Sequence, residues 1–314
     1  MDIQVGVSAC VLGHPVRFDG GHKRHRFTVE ELSEFFNFTP LCPEVSIGLT
    51  VPRPTIRLVK KGEHTELVAT KDPSIIYTEN MNRFCDKHIP TLEDMCGYIV
   101  CAKSPTCGME RVKLYRENGH TIPGGTMGMF TQKLIDNMPW LPVEEDGRLQ
   151  DPVLRENFIF RVFALNDLYN SVSENLSIKS IVDFHSRYKL TLMAHSRVDY
   201  TALGSLVANI KGRDLDEFFH EYRSLFMAAL KKRTNKKTNT NVLMHCQGYF
   251  KKMLNKQEKE ELSKLILDYR AGIVPLLSPL TLINHYLNRF PNAYLTSQVF
   301  LQPYPEKLRL RYAL

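Results

Sequence analysis

Three cysteines of this 314-residue chain share one setting. Cys10 ends the run IQVGVSAC, Cys42 sits in PLCPEV, and Cys107 sits in AKSPTCG, just after GYIV. Each follows a run that reads as a strand. In a parallel sheet the carboxyl ends of the strands gather on one edge, and ligands bind there. Three thiolates at that edge can hold zinc with its fourth position open, or an iron–sulfur cluster with one iron left free. No CxxC pair is present, so spacing selects neither, and buried structural cysteines remain an alternative. Cys101 reads as a residue inside a strand. It and Cys85, Cys96 and Cys246 are expected to fill core.

The elements that must position these residues come in two styles. Up to residue 150, short apolar runs alternate with helical stretches, which predicts an α/β domain with a Rossmann-like parallel sheet. TVEELSEFF and SIIYTENMNRFCDKHIPTLEDMC read as helical. TIRLVKKGEHTELVAT reads as two strands turning at Gly62, and GYIVCAK as a buried strand. TMGMFTQKLIDNMPW reads as a helix entered through Gly124 and Gly125. LPVEEDGRLQDP (141–152) reads as a polar linker. From 151 to 314 the apolar residues fall at helical spacing, which predicts an all-α domain.

Charge divides along the same line. Residues 1–150 hold 17 Lys and Arg against 19 Asp and Glu, a net −2; residues 151–314 hold 24 against 15, a net +9. An anionic partner for the second half, or a merely solvated basic surface, accounts for this. No apolar run is long enough to cross a bilayer, and no basic-then-apolar leader opens the chain. A cytoplasmic location without membrane contact is expected, with the seven cysteines reduced rather than paired in disulfides.

VSACVLGHPVRFDGGHK (7–23), LCPEVSIGLTVPRP (41–54), AKSPTCG (102–108) and, more weakly, IPGGTMGMFTQKL (122–134) resemble the thiouracil desulfidase family. HSRYKLTLMAHSRVDY (185–200), NVLMHCQGYFKK (241–252), YRAGIVPLLSPLTLINHYL (269–287) and YLTSQVFLQPYPEKLRLR (294–311) resemble the helical domain often fused to it. The fused arrangement is similar to bacterial desulfidases that convert 4-thiouridine in tRNA to uridine. The resemblance implies a 4Fe–4S cluster on Cys10, Cys42 and Cys107, an open iron that takes the substrate sulfur, and water attacking the carbon without net redox change.

Within that resemblance Glu44 is the expected acid–base group, two residues after Cys42; the alternative is a salt-bridging carboxylate or one at a helix start. Ser104 is expected to bond the substrate or its water, or else to cap its own loop. Ser8 and Lys103 are further substrate-binding candidates. So are Arg17 and Asp19, beside the Gly20–Gly21 turn, unless those two simply pair with each other. Gly124, Gly125 and Thr126, as a helix entry, can offer backbone N–H groups to a phosphate or a base oxygen.

RNA contacts are expected from KKRTNKKTN (231–239), through Lys231, Lys232, Arg233, Lys236 and Lys237. Arg187, Lys189 and Arg197, interleaved with His185, Tyr188, His195 and Tyr200, suit stacking and phosphate contact, or else bond within a bundle. A thiolated base must be splayed from its stack to reach the site. Alternatives are a desulfidase for 2-thiouridine or free thiouracil, and a nucleic-acid-binding module with a structural metal site.

Overall fold

IQVGVS forms β1 (Ile3–Ser8), in which Val5 and Val7 are fully buried. Burial of each such side chain stabilises by about 1.5–3 kcal/mol. This computed structural model describes residues 3–311. After β1 come β2 (Phe36–Leu41), α1 (Pro43–Ser46), β3 (Ile56–Lys61), β4 (His64–Ala69), α2 (Thr78–His88) and β5 (Gly97–Val100). Then follow β6 (Val112–Tyr115), β7 (Thr121–Thr126), α3 (Met129–Asn137) and β8 (Val143–Glu145).

β2, β1, β5 and β8 form one sheet in that order, and all three pairings are parallel. Its carboxyl edge therefore carries the residues that follow Ser8, Leu41, Val100 and Glu145. Gly6 in β1 is required by close packing: a Cβ there would lie 2.3 Å from the Tyr98 ring. The second sheet runs β4–β3–β6–β7, two antiparallel hairpins joined through parallel β3 and β6. The β3–β4 hairpin turns at Gly62, as the sequence predicts.

Two segments differ from their sequence reading. TVEELSEFF does not build a regular helix; Phe27–Glu31 makes a wide π turn and Leu32–Glu34 a 3-10 turn. The polar linker contains β8, and Glu144, Glu145 and Asp146 are all buried. Each acid has a partner there. Glu144 accepts from Arg148 at 2.6 Å, Glu145 from the backbone N–H of Met109 at 2.8 Å, and Asp146 from that of Ala102 at 2.8 Å. Satisfied carboxylates can be buried where solvated ones cannot.

The chain divides into two units, Met1–Phe158 and Ile159–Leu314, within α4 (Pro152–Ser171). The second unit continues with α5 (Ile178–His195), α6 (Arg197–Ala208), α7 (Leu215–Lys231), α8 (Lys236–Tyr249), α9 (Lys256–Ala271), α10 (Leu277–Arg289) and α11 (Ala293–Ser297). No strand occurs there among the described residues. The α/β region followed by a helical one is the predicted fold class. Side-chain caps start most of these helices: Ser177 on α5, Ser196 on α6, Asp214 on α7, Asn235 on α8 and Asn255 on α9. Ser196 thereby cuts the 180–210 stretch into two helices. Among the described residues, no helix is long and apolar enough to cross a membrane.

Candidate active site

Cys10 lies in a 3-10 turn, Ala9–Leu12, directly beyond β1. Its carbonyl accepts from the N–H of Gly13 at 3.1 Å and of Lys23 at 2.8 Å, which folds the 13–23 loop back over the turn. Cys42 is the extended residue between β2 and α1, with Pro43 opening the helix. Cys107 sits in the loop after β5, which is anchored twice. Ser104 Oγ accepts from the N–H groups of Thr106 at 3.2 Å and Cys107 at 3.1 Å. The N–H groups of Gly128, Met129, Phe130 and Thr131 donate to the carbonyls of Gly108, Pro105 and Thr106. Gly128 lies flat on this loop, since a Cβ there would be 2.6 Å from the Thr106 carbonyl.

These loops enclose a cavity of about 350 Å³. Ser8, Cys10, Arg17, Cys42, Glu44, Lys103, Ser104 and Cys107 all line it. Lys103 is exposed and holds a left-handed φ of 63°, uncommon for a residue with a side chain. Glu44 Oε2 accepts from Arg53 Nε at 3.0 Å and Nη2 at 2.6 Å. Its Oε1 accepts from Thr106 Oγ1 at 2.9 Å and lies 3.4 Å from Ser104 Oγ. Glu44 is thus also the salt-bridged, helix-start carboxylate of the alternative reading, and Ser104 also the loop cap.

Four predicted site residues lie elsewhere. Asp19 is exposed; it accepts from the Gly21 N–H at 3.0 Å and faces Arg17 at 3.6 Å. Gly124, Gly125 and Thr126 do not open a helix. They end β7, and a Cβ on Gly125 would lie 2.9 Å from Arg111. The helix entry is Gly128, and the amides around it are already spent on the Cys107 loop.

Sequence reasoning missed three ionisable side chains of the cavity wall. Cys101 is not inside β5 but one residue beyond it, and it lines the cavity. Its N–H donates to Ser8 Oγ at 3.0 Å. Arg53 lines the cavity with its side chain buried. Lys23 lines it too and is held by Asp146 at 3.0 Å. Burial works against the Lys23 ammonium, but Cys101, Asp146 and Cys10 outweigh it and raise its pKa. Arg53 and Lys23 fall inside the quoted motif stretches, so the signal was present but pointed to no partner.

Burial pushes the Cys107 thiol up to about 12, against the pull of hydrogen bonds from Thr106 and Ser8. Burial also raises Cys42. Such thiols stay protonated until a metal displaces the protons. Among the described residues, no three His, Cys, Asp or Glu side chains converge as a single ion requires. Thiols on three loops around one cavity instead suit a cluster, whose separate irons each take one thiolate.

In the helical unit the interleaved basic and aromatic residues do not form one outward face. His185 and Tyr188 are buried. His185 shares a hydrogen bond with the Tyr222 hydroxyl at 3.1 Å, and Tyr188 donates to Asp167 at 2.8 Å. Arg187 is half-buried and paired with Asp167 at 2.9 Å. Lys189 is half-buried. Arg197, Lys231, Lys232, Arg233, Lys236 and Lys237 are exposed. Lys232 pairs with Asp199 and links the start of α6 to the α7–α8 turn.

Comparison with known proteins agrees with this layout. Residues 5–146 match the family described as 2-thiouracil desulfurase, and residues 189–305 match a protein family of unknown function, DUF1722. The uncharacterized protein YbgA of Escherichia coli (strain K12) is 38% identical over 159 residues, covering 50% of this chain and 94% of YbgA. The chain belongs to the YbgA family. The stretch that matches the 2-thiouracil desulfurase family, residues 5–146, contains every cavity residue named above. A solved structure titled [4Fe-4S]-dependent thiouracil desulfidase TudS is 25% identical, covers 47% of this chain and 93% of its own, and has a TM-score of 0.39.

Proposed function

We propose that this chain hydrolyses the C=S bond of thiolated uridine in tRNA, 4-thiouridine to uridine, in the cytoplasm. Residues 1–150 form the catalytic domain in this reading, and residues 151–314 the tRNA-binding one. The observation that carries it is one cavity lined by Cys10, Cys42 and Cys107 together with the Glu44 carboxylate. A 4Fe–4S cluster on those three thiolates would supply a soft Lewis acid for the substrate sulfur.

The remaining work falls to this chain's own side chains. Overall, water adds oxygen to the ring carbon and sulfur leaves as hydrogen sulfide, with no change in oxidation state. Glu44 takes the proton of the attacking water at Oε1, since Oε2 is committed to Arg53. Thr106 and Ser104 present their hydroxyls to that same oxygen and fix its direction. A group aligned this way contributes typically 10²–10⁴-fold. Protonated Glu44 then returns the proton to the departing sulfur. Lys103 and Arg17, both on the cavity wall, offset negative charge that develops on the base. Ser8 supports the loop bearing Cys101 and Cys107. Lys231, Lys232, Arg233, Lys236 and Lys237, with Arg197, offer phosphate contacts.

Anaerobic reconstitution, incubation with bulk tRNA and nucleoside analysis test the proposal. Loss of 4-thiouridine with matching gain of uridine is expected. A loaded enzyme that leaves 4-thiouridine intact and converts free 2-thiouracil would move the substrate to the free base. That second reading has its own support, because the 2-thiouracil desulfurase match spans the cavity without the helical unit.

A further inference from the structure

Four thiols line the cavity, whereas the proposed cluster uses three. The fourth, Cys101, has a defined place. β1 and β5 are neighbours in the parallel sheet, with Val7 opposite Ile99, so the residues just beyond each strand leave the sheet edge side by side. The Cys10 and Cys101 thiols both line the cavity, where the Cys101 sulfur faces the Ala102 carbonyl at 3.8 Å. The Cys101 backbone is pinned by the 3.0 Å bond from its N–H to the buried Ser8. Lys23 lines the same cavity and is held there by Asp146 at 3.0 Å. The other two ligand positions differ. The Cys107 sulfur is held by hydroxyls, those of Thr106 and Ser8, and the Cys42 sulfur faces the Val16 carbonyl at 3.9 Å.

We propose that Cys101 is a reserve ligand for the cluster corner assigned to Cys10, the two neighbouring sulfurs sharing one iron position. The proposal rests on reading the cavity as a cluster site. While Cys10 binds the iron, Cys101 stays off the metal at the end of the neighbouring strand. When Cys10 is absent, Cys101 loses its proton and binds the iron in its place. Ligand exchange of this kind involves no redox change.

Iron and acid-labile sulfide per chain after anaerobic reconstitution, with the EPR spectrum of the reduced cluster, read this directly. Cys10→Ser should keep most of the wild-type iron and show a shifted spectrum. Cys101→Ser should keep its full iron. Cys10→Ser/Cys101→Ser and Cys42→Ser should each lose about tenfold or more, since thiolates hold the metal. Melting curves check folding, and Cys10→Ala replaces Cys10→Ser if the latter does not fold. Cys10→Ser as empty as the double variant would overturn the proposal, and so would a Cys101→Ser variant that loses iron. Wild type that takes up no cluster would overturn this inference and the cluster reading together; loaded wild type beside empty Cys10→Ser would overturn only the reserve ligand.

Discussion

In the α/β unit two ion pairs meet at one cavity: Arg53 with Glu44, and Asp146 with Lys23, whose side chain reaches the cavity wall. In the helical unit the buried polar groups bond to one another instead. His185 shares its hydrogen bond with Tyr222, Gln298 ties the Leu190 N–H to the Ser186 carbonyl, and Arg223 packs on His220 at 3.0 Å. Exposed cations of that unit include Lys231, Lys232, Arg233, Lys236 and Lys237 around the α7–α8 turn. Buried polar groups need partners in either case. The difference is where the partners meet: at a cavity wall they can act on a ligand, whereas between helices they hold the bundle together.

The largest expected effect is at the cavity. Cys107→Ser should abolish both the visible absorbance of the reconstituted protein and its turnover; a variant that keeps both would remove Cys107 from the ligand set. Glu44→Gln should keep the absorbance while kcat falls by about 10²–10⁴-fold, as loss of a general base requires. Wild-type turnover in that variant would leave Glu44 as a structural partner of Arg53, like the inward pairs of the helical unit.

Arg53→Met removes one half of a buried pair and leaves the Glu44 carboxylate uncompensated. Denaturant melts should show a loss of about 3 kcal/mol. A change below about 1 kcal/mol would place the pair in the class of exposed bridges.

Next comes the outer surface. Lys231→Glu, Arg233→Glu and Lys237→Glu together should weaken tRNA binding about a hundredfold at low salt, flatten its salt dependence, and spare turnover of free 2-thiouracil. Equal tRNA affinity would make this turn an ordinary solvated surface.

The smallest effect is internal to the bundle. Burial lowers the His185 pKa from 6.5 to about 4, so the folded unit holds it neutral. The unfolded chain binds that proton from 6.5 downward and the folded one only near 4, so stability falls as pH drops through this window. The His185 contribution is about 1 kcal/mol between pH 6.5 and 5.5. Burial lowers His195 to about 4 as well, so His185→Gln should remove about half of that slope; an unchanged slope would assign it to other groups.

Periodicity and punctuation made much of this legible. IQVGVS is apolar except at Gln4 and Ser8, GYIV is apolar throughout, and both become buried parallel strands. Glu44 was visible because it lies two residues from Cys42, yet nothing local says that Arg53 holds it. Glu145 and Asp146 read as solvated because their partners, Met109, Ala102 and Lys23, are distant in sequence. The glycines at 124 and 125 looked like a helix entry because glycine tolerates both that role and a strand end with positive φ.

By itself the sequence determined the α/β-then-helical order and the placement of Cys10, Cys42 and Cys107 at strand ends. Those features follow from side-chain period and short-range backbone preference, which a linear chain displays. Tertiary structure alone decided that Cys101 shares a cavity with Cys10, that Lys23 meets Asp146 across 123 residues, and that His185 and Tyr188 face inward. Those outcomes depend on which loops and helices pack together, and a pairing energy between remote side chains leaves no periodic trace in either segment.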